Sequence, residues 1–126
     1  MTVSRRGARR AALFVLYQSD VTGRPLASLY EGELDPYTLE LAEGVSGETA
    51  ELDATIGEFS TDWRPERLGA LERNILRIAL YELERDDVPM EVAIDEAVRL
   101  ARRYASSDAA KLVNGILGRV AKEARR

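Results

Sequence analysis

Apolar residues recur at helical spacing along most of the chain. Ala8, Ala11, Ala12, Val15 and Leu16 fall at i, i+3, i+4, i+7 and i+8, which lays one apolar stripe on a helix over about residues 4–19, and Gly23 follows as its stop. Residues 26–30 fit a helical turn or two. Asp35, an N-cap residue followed by Pro36, opens a third helix whose stripe runs through Leu39, Ala42, Val45, Thr49, Leu52 and Ile56. Gly44 and Gly47 each weaken that helix by up to about 1 kcal/mol relative to Ala, so a bend or a close helix crossing is expected there. The most apolar stretch is 68–83, where Leu71, Ile75, Leu76, Ile78, Ala79, Leu80 and Leu83 cover more than one face; such a helix belongs at the centre of a bundle. Two further helices follow. One spans 89–104 with Ala93, Ala97, Leu100, Ala101 and Tyr104 inward; the other spans 107–123 with Leu112, Val113, Ile116, Leu117 and Val120 inward and Ser106 or Ser107 as its cap. Gly115 sits within that last stripe, where it would let a neighbouring helix approach closely.

The four prolines punctuate the same pattern. Arg24-Pro25, Asp35-Pro36, Arg64-Pro65 and Val88-Pro89 each place a proline where a helix can begin, since its missing N–H costs nothing in a first turn. A length of 126 residues suits a single domain over 1–126, and 45% hydrophobic with 32% charged residues is a globular balance. The fold class expected is all-α, a compact bundle of about six to seven helices.

The chain has no cysteine and no histidine, which removes thiol nucleophiles, imidazole bases, thiolate metal sites and disulfides. No acidic loop of calcium-binding spacing is present, and Asp86-Asp87 are adjacent residues that would point apart, a poor arrangement for paired acid/base work. No catalytic residue, metal or cofactor is therefore expected. No apolar run approaches the roughly 20 residues needed to span a bilayer, and the start lacks the apolar stretch of a signal peptide, so a cytoplasmic protein is expected.

Charge changes the picture more than its sum of −4 suggests, because it is segregated. Arg5, Arg6, Arg9 and Arg10 stand together at the start, whereas no Lys or Arg occurs from Pro25 to Trp63, a stretch carrying ten Asp or Glu residues. Helical spacing puts Arg5 over Arg9 and Arg6 over Arg10. Like charges at i,i+4, and cations at a helix N-terminus, are each unfavourable by a few tenths of a kcal/mol, so something must compensate. RNA phosphates would, because a guanidinium fork matches phosphate oxygens and also stacks on bases. Neutralising Arg9 together with Arg10 should then flatten the salt dependence of binding. A solvated basic end is the plain alternative, and charge alone does not choose between them. Tyr17 lies on the side of the first helix away from Ala8, Ala11 and Val15, where it is either core or a contact residue. Glu72 and Arg73 interrupt the central helix as a wet stripe or as an offering to a partner protein. Asp95, Arg99 and Arg103, spaced by four, read as a solvated face. Arg102, Arg103, Lys111, Arg119 and Lys122 add basic character near the end that could extend a phosphate-tracking surface.

Several segments jointly resemble the NusB family. They are Arg5-Arg6-Gly7-Ala8-Arg9 with Leu16-Tyr17-Gln18, the run from Leu71 to Leu83, Asp87-Val88-Pro89, Val92 to Ala97, and Lys111 to Leu117. The resemblance runs nearly end to end. It implies an all-α fold in two packed sub-bundles, a protein that binds single-stranded boxA RNA, and a partner in NusE, the ribosomal protein that doubles as a transcription factor. Together they would help RNA polymerase, in an antitermination complex, read through termination signals. By position it assigns RNA binding to Arg5, Arg6, Arg9, Arg10, Asp108, Lys111 and Leu112, and contact with the protein partner to Tyr17, Phe59 and Glu72. Two residues depart from the family pattern. Arg10 stands where an acidic residue is common, and Leu112 where an aromatic is common, which puts base stacking at that position in doubt. A NusB-like domain also occurs fused to RNA cytosine methyltransferases, but a cofactor-binding domain, and with it methyl transfer, is not expected here. From the residues alone, a second reading stays open: a helical homodimeric interaction module in which RNA binding is masked or incidental, so that either a monomer or a homodimer is expected.

Overall fold

A computed structural model describes residues 3–60, 68–85 and 88–124, and among them every regular element is helical. In chain order these are α1 (Arg5–Thr22), a 3-10 turn (Leu26–Ser28), α2 (Pro36–Gly47), α3 (Thr49–Phe59), α4 (Ala70–Leu83), α5 (Met90–Tyr104) and α6 (Ser107–Ala124). Their ends follow local chemistry. The Ser4 hydroxyl accepts from Gly7 N–H at 3.1 Å to open α1, and Gly23, at φ 72°, closes it by donating its N–H to Ser19. The Asp35 carboxylate accepts from Tyr37 and Thr38 N–H with Pro36 in the first turn of α2, as its sequence requires. Ser106 takes the corresponding role for α6, accepting from Ala109 N–H at 2.9 Å. Arg64-Pro65 and the Asp86-Asp87 pair lie outside the described residues.

The single helix expected over 35–56 is two. The chain breaks at Glu48, directly after Gly47, so that α2 and α3 can each turn an apolar face to the core. Gly44 answers the other half of that expectation: the Tyr81 ring lies so close that a Cβ at Gly44 would stand 2.2 Å from its Cζ. Gly115 does not behave as expected. A Cβ there would meet nothing within 4 Å, because no neighbour crosses α6 at that turn.

The core gathers on α4, which packs against each of the other five helices. Nine consecutive residues of it, Asn74 to Glu82, are buried, and three of them are polar or charged. Each has a partner on another helix or its own backbone. Arg77 makes a two-pronged contact with Asp53 of α3, both N···O distances 2.7 Å. Asn74 donates to Asp20 of α1 at 2.9 Å and to the Ala70 carbonyl at 2.8 Å, while Arg73 reaches the same Asp20 oxygen at 2.7 Å. Burial alone would raise the Asp20 carboxyl, but the hydrogen bonds from Arg73 and Asn74 and the charges of Arg73 and Arg77 outweigh it and hold its pKa low. The buried pairs thus tie α1 and α3 to the central helix with defined register, while leucines, isoleucines and alanines supply the adhesive area.

Two outcomes follow from this packing. Gly44→Ala gains up to about 1 kcal/mol in helix propensity but forces the Tyr81 ring out of its seat, which costs about 1–3 kcal/mol. Urea unfolding should show a net loss of stability, and an unchanged midpoint would mean the ring has room to move. Because the Asp20 pKa is lower folded than unfolded, its contribution is fully present above the unfolded value of about 4 and disappears as pH falls below that through the folded value. Asp20→Asn should therefore be less stable than the parent at neutral pH, with the gap narrowing on acidification; a gap independent of pH would contradict the ion-pair account.

Candidate nucleic-acid interface

The first turns of α1 carry the arginines, and the fold treats the four differently. Arg9 follows Ala8 on the inward face and is buried, its side chain 5% exposed. Its Nε lies 2.8 Å and 3.0 Å from the two oxygens of Glu82, near the end of α4, and Glu82 is itself 2% exposed. The Tyr37 hydroxyl, from the first turn of α2, donates to the same carboxylate at 2.5 Å. Burial first, then the bond to Glu82, raises the Tyr37 pKa far above that of a free phenol, so the group stays a donor at any physiological pH. The expectation of Arg9 as a surface phosphate contact is corrected accordingly: in this structure it is an internal tie between three helices. The compensation demanded by four clustered cations comes in part from carboxylates of the same molecule.

Arg6, Arg10 and Arg5 turn outward. Arg6 keeps a 60% exposed side chain while its Nη2 sits 2.8 Å from Glu96 of α5. The hydrogen bond and charge of Arg6, with burial opposing, lower the Glu96 pKa, so Glu96 is ionised at neutral pH. Arg5 is exposed and stacks its guanidinium over the Tyr37 ring, 4.5 Å from the centroid. Arg10 is exposed beside the hydroxyl of Tyr104, the last residue of α5. Three of the four arginines therefore present charge to solvent.

The remaining expected residues fall into a second place. Asp108 and Leu112, on the first turns of α6, line a cavity of about 290 Å³ together with Glu72, Leu68 and Gly69 at the start of α4. Residues assigned by resemblance to RNA and to a protein partner thus share one groove. Glu72 folds its carboxylate back over Gly69, where the α4 N-terminus favours negative charge. Lys111 is exposed on the same helix as Leu112. Tyr17 is half-buried on α1, three residues beyond the exposed Phe14, and Phe59 is half-buried at the end of α3, where its carbonyl accepts from Arg119 of α6 at 2.7 Å. Among the described residues no cluster of three Asp or Glu side chains stands ready for a metal ion, and no helix is long and apolar enough to cross a membrane.

Sequence reasoning missed the residues facing the arginines. On α5, Arg99 read as a solvated face and Arg103 as that or as general basic character, yet both border a cavity of about 200 Å³ with Arg6, Arg10, Glu96 and Tyr104. Phe14 stands beside it, its ring in a T-shaped contact with Tyr104, centroids 5.0 Å apart. One signal was available: Arg6, Arg10 and Phe14 are spaced by four and so share one stripe of α1.

The division of labour among the arginines has a measurable consequence. Arg9→Ala leaves a buried carboxylate without its cation, which should cost about 3–5 kcal/mol in urea unfolding. Arg10→Ala, at an exposed position, should stay within about 0.5 kcal/mol of the parent. Equal losses from the two substitutions would contradict the assignment of Arg9 to the interior.

With this geometry in place, likeness to known proteins is specific. A sequence model of the NusB family matches residues 6–122. The transcription antitermination protein NusB of Rubrobacter xylanophilus is 46% identical over 122 residues, an alignment covering 91% of this chain and 88% of that one. In structure, T. maritima NusB superposes with a TM-score of 0.85 at 34% identity, covering 98% of this chain and 94% of that chain. A chain from a crystal structure of the antitermination factors NusB and NusE in complex with double-stranded RNA gives a TM-score of 0.80 at 29% identity, covering 94% of this chain and 96% of the other. The family match over nearly the whole chain and the agreement of the folds together show that the chain belongs to the NusB family.

Proposed function

We propose that this chain is a non-enzymatic, cytoplasmic antitermination factor acting as a single domain over 1–126, which binds single-stranded boxA RNA together with NusE. Bound there, the pair would join the antitermination complex of RNA polymerase and promote processive transcription of ribosomal RNA operons. The observation that carries the reading is the outward display of Arg5, Arg6 and Arg10 on α1 of a NusB-family fold. In this reading those three guanidiniums take phosphate oxygens, and Arg9 holds α1 in the pose that presents them. Asp108, Lys111 and Leu112 add a second RNA contact on α6, with Lys111 supplying its cation and Leu112 an apolar rather than stacking surface. Tyr17, Phe59 and Glu72 meet NusE. Glu72 and Leu112 border one groove, so RNA and protein partner would lie side by side, and each would raise affinity for the other to the same extent.

Fluorescence anisotropy of labelled boxA RNA, with and without NusE and at several salt concentrations, tests this. Three to five phosphate contacts to a single strand predict log K falling against log salt with a slope of about −2 to −3.5. Arg5→Gln with Arg10→Gln should flatten it by about 1.4, since each released contact is worth about 0.7. NusE should tighten RNA binding, and a duplex of the same sequence should bind less well. An affinity indifferent to salt would refute the phosphate contacts, and a tight dimer that sheds RNA as it forms would favour the homodimeric module.

A further inference from the structure

We infer that the cleft between α1 and α5 is a nucleotide subsite, in which Arg10 and Arg103 grip a phosphate of a single RNA strand while Phe14 receives the adjoining base. The inference rests on the RNA-binding reading above and extends it to Phe14 and to a cleft on α5 that the family resemblance did not single out, and it gives Arg103, read in sequence only as general basic character, a defined place.

The cleft has the composition such a site needs. Four guanidiniums, those of Arg6, Arg10, Arg99 and Arg103, border about 200 Å³ of open space against the single carboxylate of Glu96. That carboxylate is already engaged, at 2.8 Å with Arg6 and at 4.0 Å with Arg99, so it aims those two side chains and adds little repulsion of its own toward an incoming anion. Arg10 and Arg103 have no carboxylate partner among the described contacts; both instead approach the Tyr104 hydroxyl, Arg103 with its Nε at 3.4 Å. The Arg103 guanidinium also lies 5.6 Å from the Tyr104 ring centroid. A phosphate between the two arginines would exchange a long contact with a neutral phenol for short, charge-assisted bonds. Their cationic fields already lower the Tyr104 pKa, the bond from Arg103 contributing most.

The aromatic partner is equally placed. Phe14 is 39% exposed although it is a large apolar residue one turn beyond Arg10. Tyr104 meets it at an interplanar angle of 82°, an edge-to-face contact that fixes the ring while part of Phe14 stays open to solvent. A single strand can turn its bases outward onto such a ring, whereas an acidic peptide has no planar group to lay there. Charge together with an exposed aromatic ring favours RNA over an acidic protein.

The test compares the full chain with two variants, using a labelled single-stranded RNA and fluorescence anisotropy across a salt series. Arg99→Gln with Arg103→Gln should flatten the slope of log K against log salt by about 0.7 to 1.4. Phe14→Ala should weaken binding about 5- to 150-fold with the slope unchanged. Both change exposed side chains, and unaltered thermal unfolding will show that the fold is intact. If Arg5→Gln flattens the slope while both cleft variants bind as the parent does, the subsite is refuted and the RNA-binding reading stands. If the parent binds no RNA, both fall. If poly-glutamate competes at the cleft and RNA affinity ignores the cleft variants, the site serves an acidic protein and the inference is overturned.

Discussion

The rest of the molecule depends on one buried contact, the ion pair of Arg9 with Glu82, seconded by the Tyr37 hydroxyl. A carboxylate that is 2% exposed is stable only when matched, and here its oxygens are satisfied by α1 and α2 together. The pair adds little net stability compared with a well-packed apolar cluster, but it admits few alternatives. If α1 rotated about its axis or slid by a turn, a guanidinium and a carboxylate would be left buried and unmatched. That penalty fixes the phase of α1. With Arg9 pointing in, helical geometry turns Arg6 and Arg10 toward α5, while Arg5, one turn before Arg9 on the same side, lies past the buried pair over the Tyr37 ring.

The same logic repeats down α1. Near its far end Asp20 accepts from Arg73 and Asn74 of α4, so the helix is pinned at both ends by charge and packed between them by Ala12, Leu13 and Leu16. Because Arg9 meets the end of α4 and Asp20 meets its start, the two helices run antiparallel. Alongside, Arg6 meets Glu96 and Arg10 approaches Tyr104, so α5 runs parallel to α1. The cationic surface is consequently built by two neighbouring helices, each presenting residues spaced by four. Neither segment alone has the charge density of the assembled cleft.

How much of this was legible in the sequence follows from which interactions are local. The helices, the Asp35 and Gly23 caps and the centrality of the stretch ending at Leu83 were readable, because capping and periodicity act within a few residues. A bend near Gly44 and Gly47 was readable too, but not its becoming a full break at Glu48, since the 3.6-residue stripe continues across it and only packing against α4 shows that one straight helix cannot serve both halves. Gly44 and Gly115 look alike in sequence, yet one receives a tyrosine ring and the other faces open space; the difference lies in Tyr81, some 37 residues away in the chain. Among the arginines the pattern revealed a cluster but not its sorting. Helical phase sets Arg9 beside Ala12, Leu13 and Leu16 and Arg10 with Phe14, but that Arg9 is buried and neutralised depends on Glu82, a partner on α4.

That sorting also resolves the conflict posed by cations at a helix N-terminus. Of the four arginines, one is neutralised internally by Glu82, one is held by Glu96 while still reaching solvent, and Arg5 is spread over an aromatic face. The free energy that would otherwise oppose α1 is absorbed by contacts which also restrict side-chain motion. A flexible arginine loses rotamer freedom when it grips a phosphate, about 2 kcal/mol for a full side chain, and a guanidinium already aimed by Glu96 or Tyr37 has given up part of it during folding. The carboxylates in a cation-rich surface are thus consistent with anion binding: they lower its entropic cost at a modest expense in charge. An arginine-rich segment without them would carry more net charge but hold it in no particular geometry, which suits nonspecific attraction better than recognition of one strand in one register.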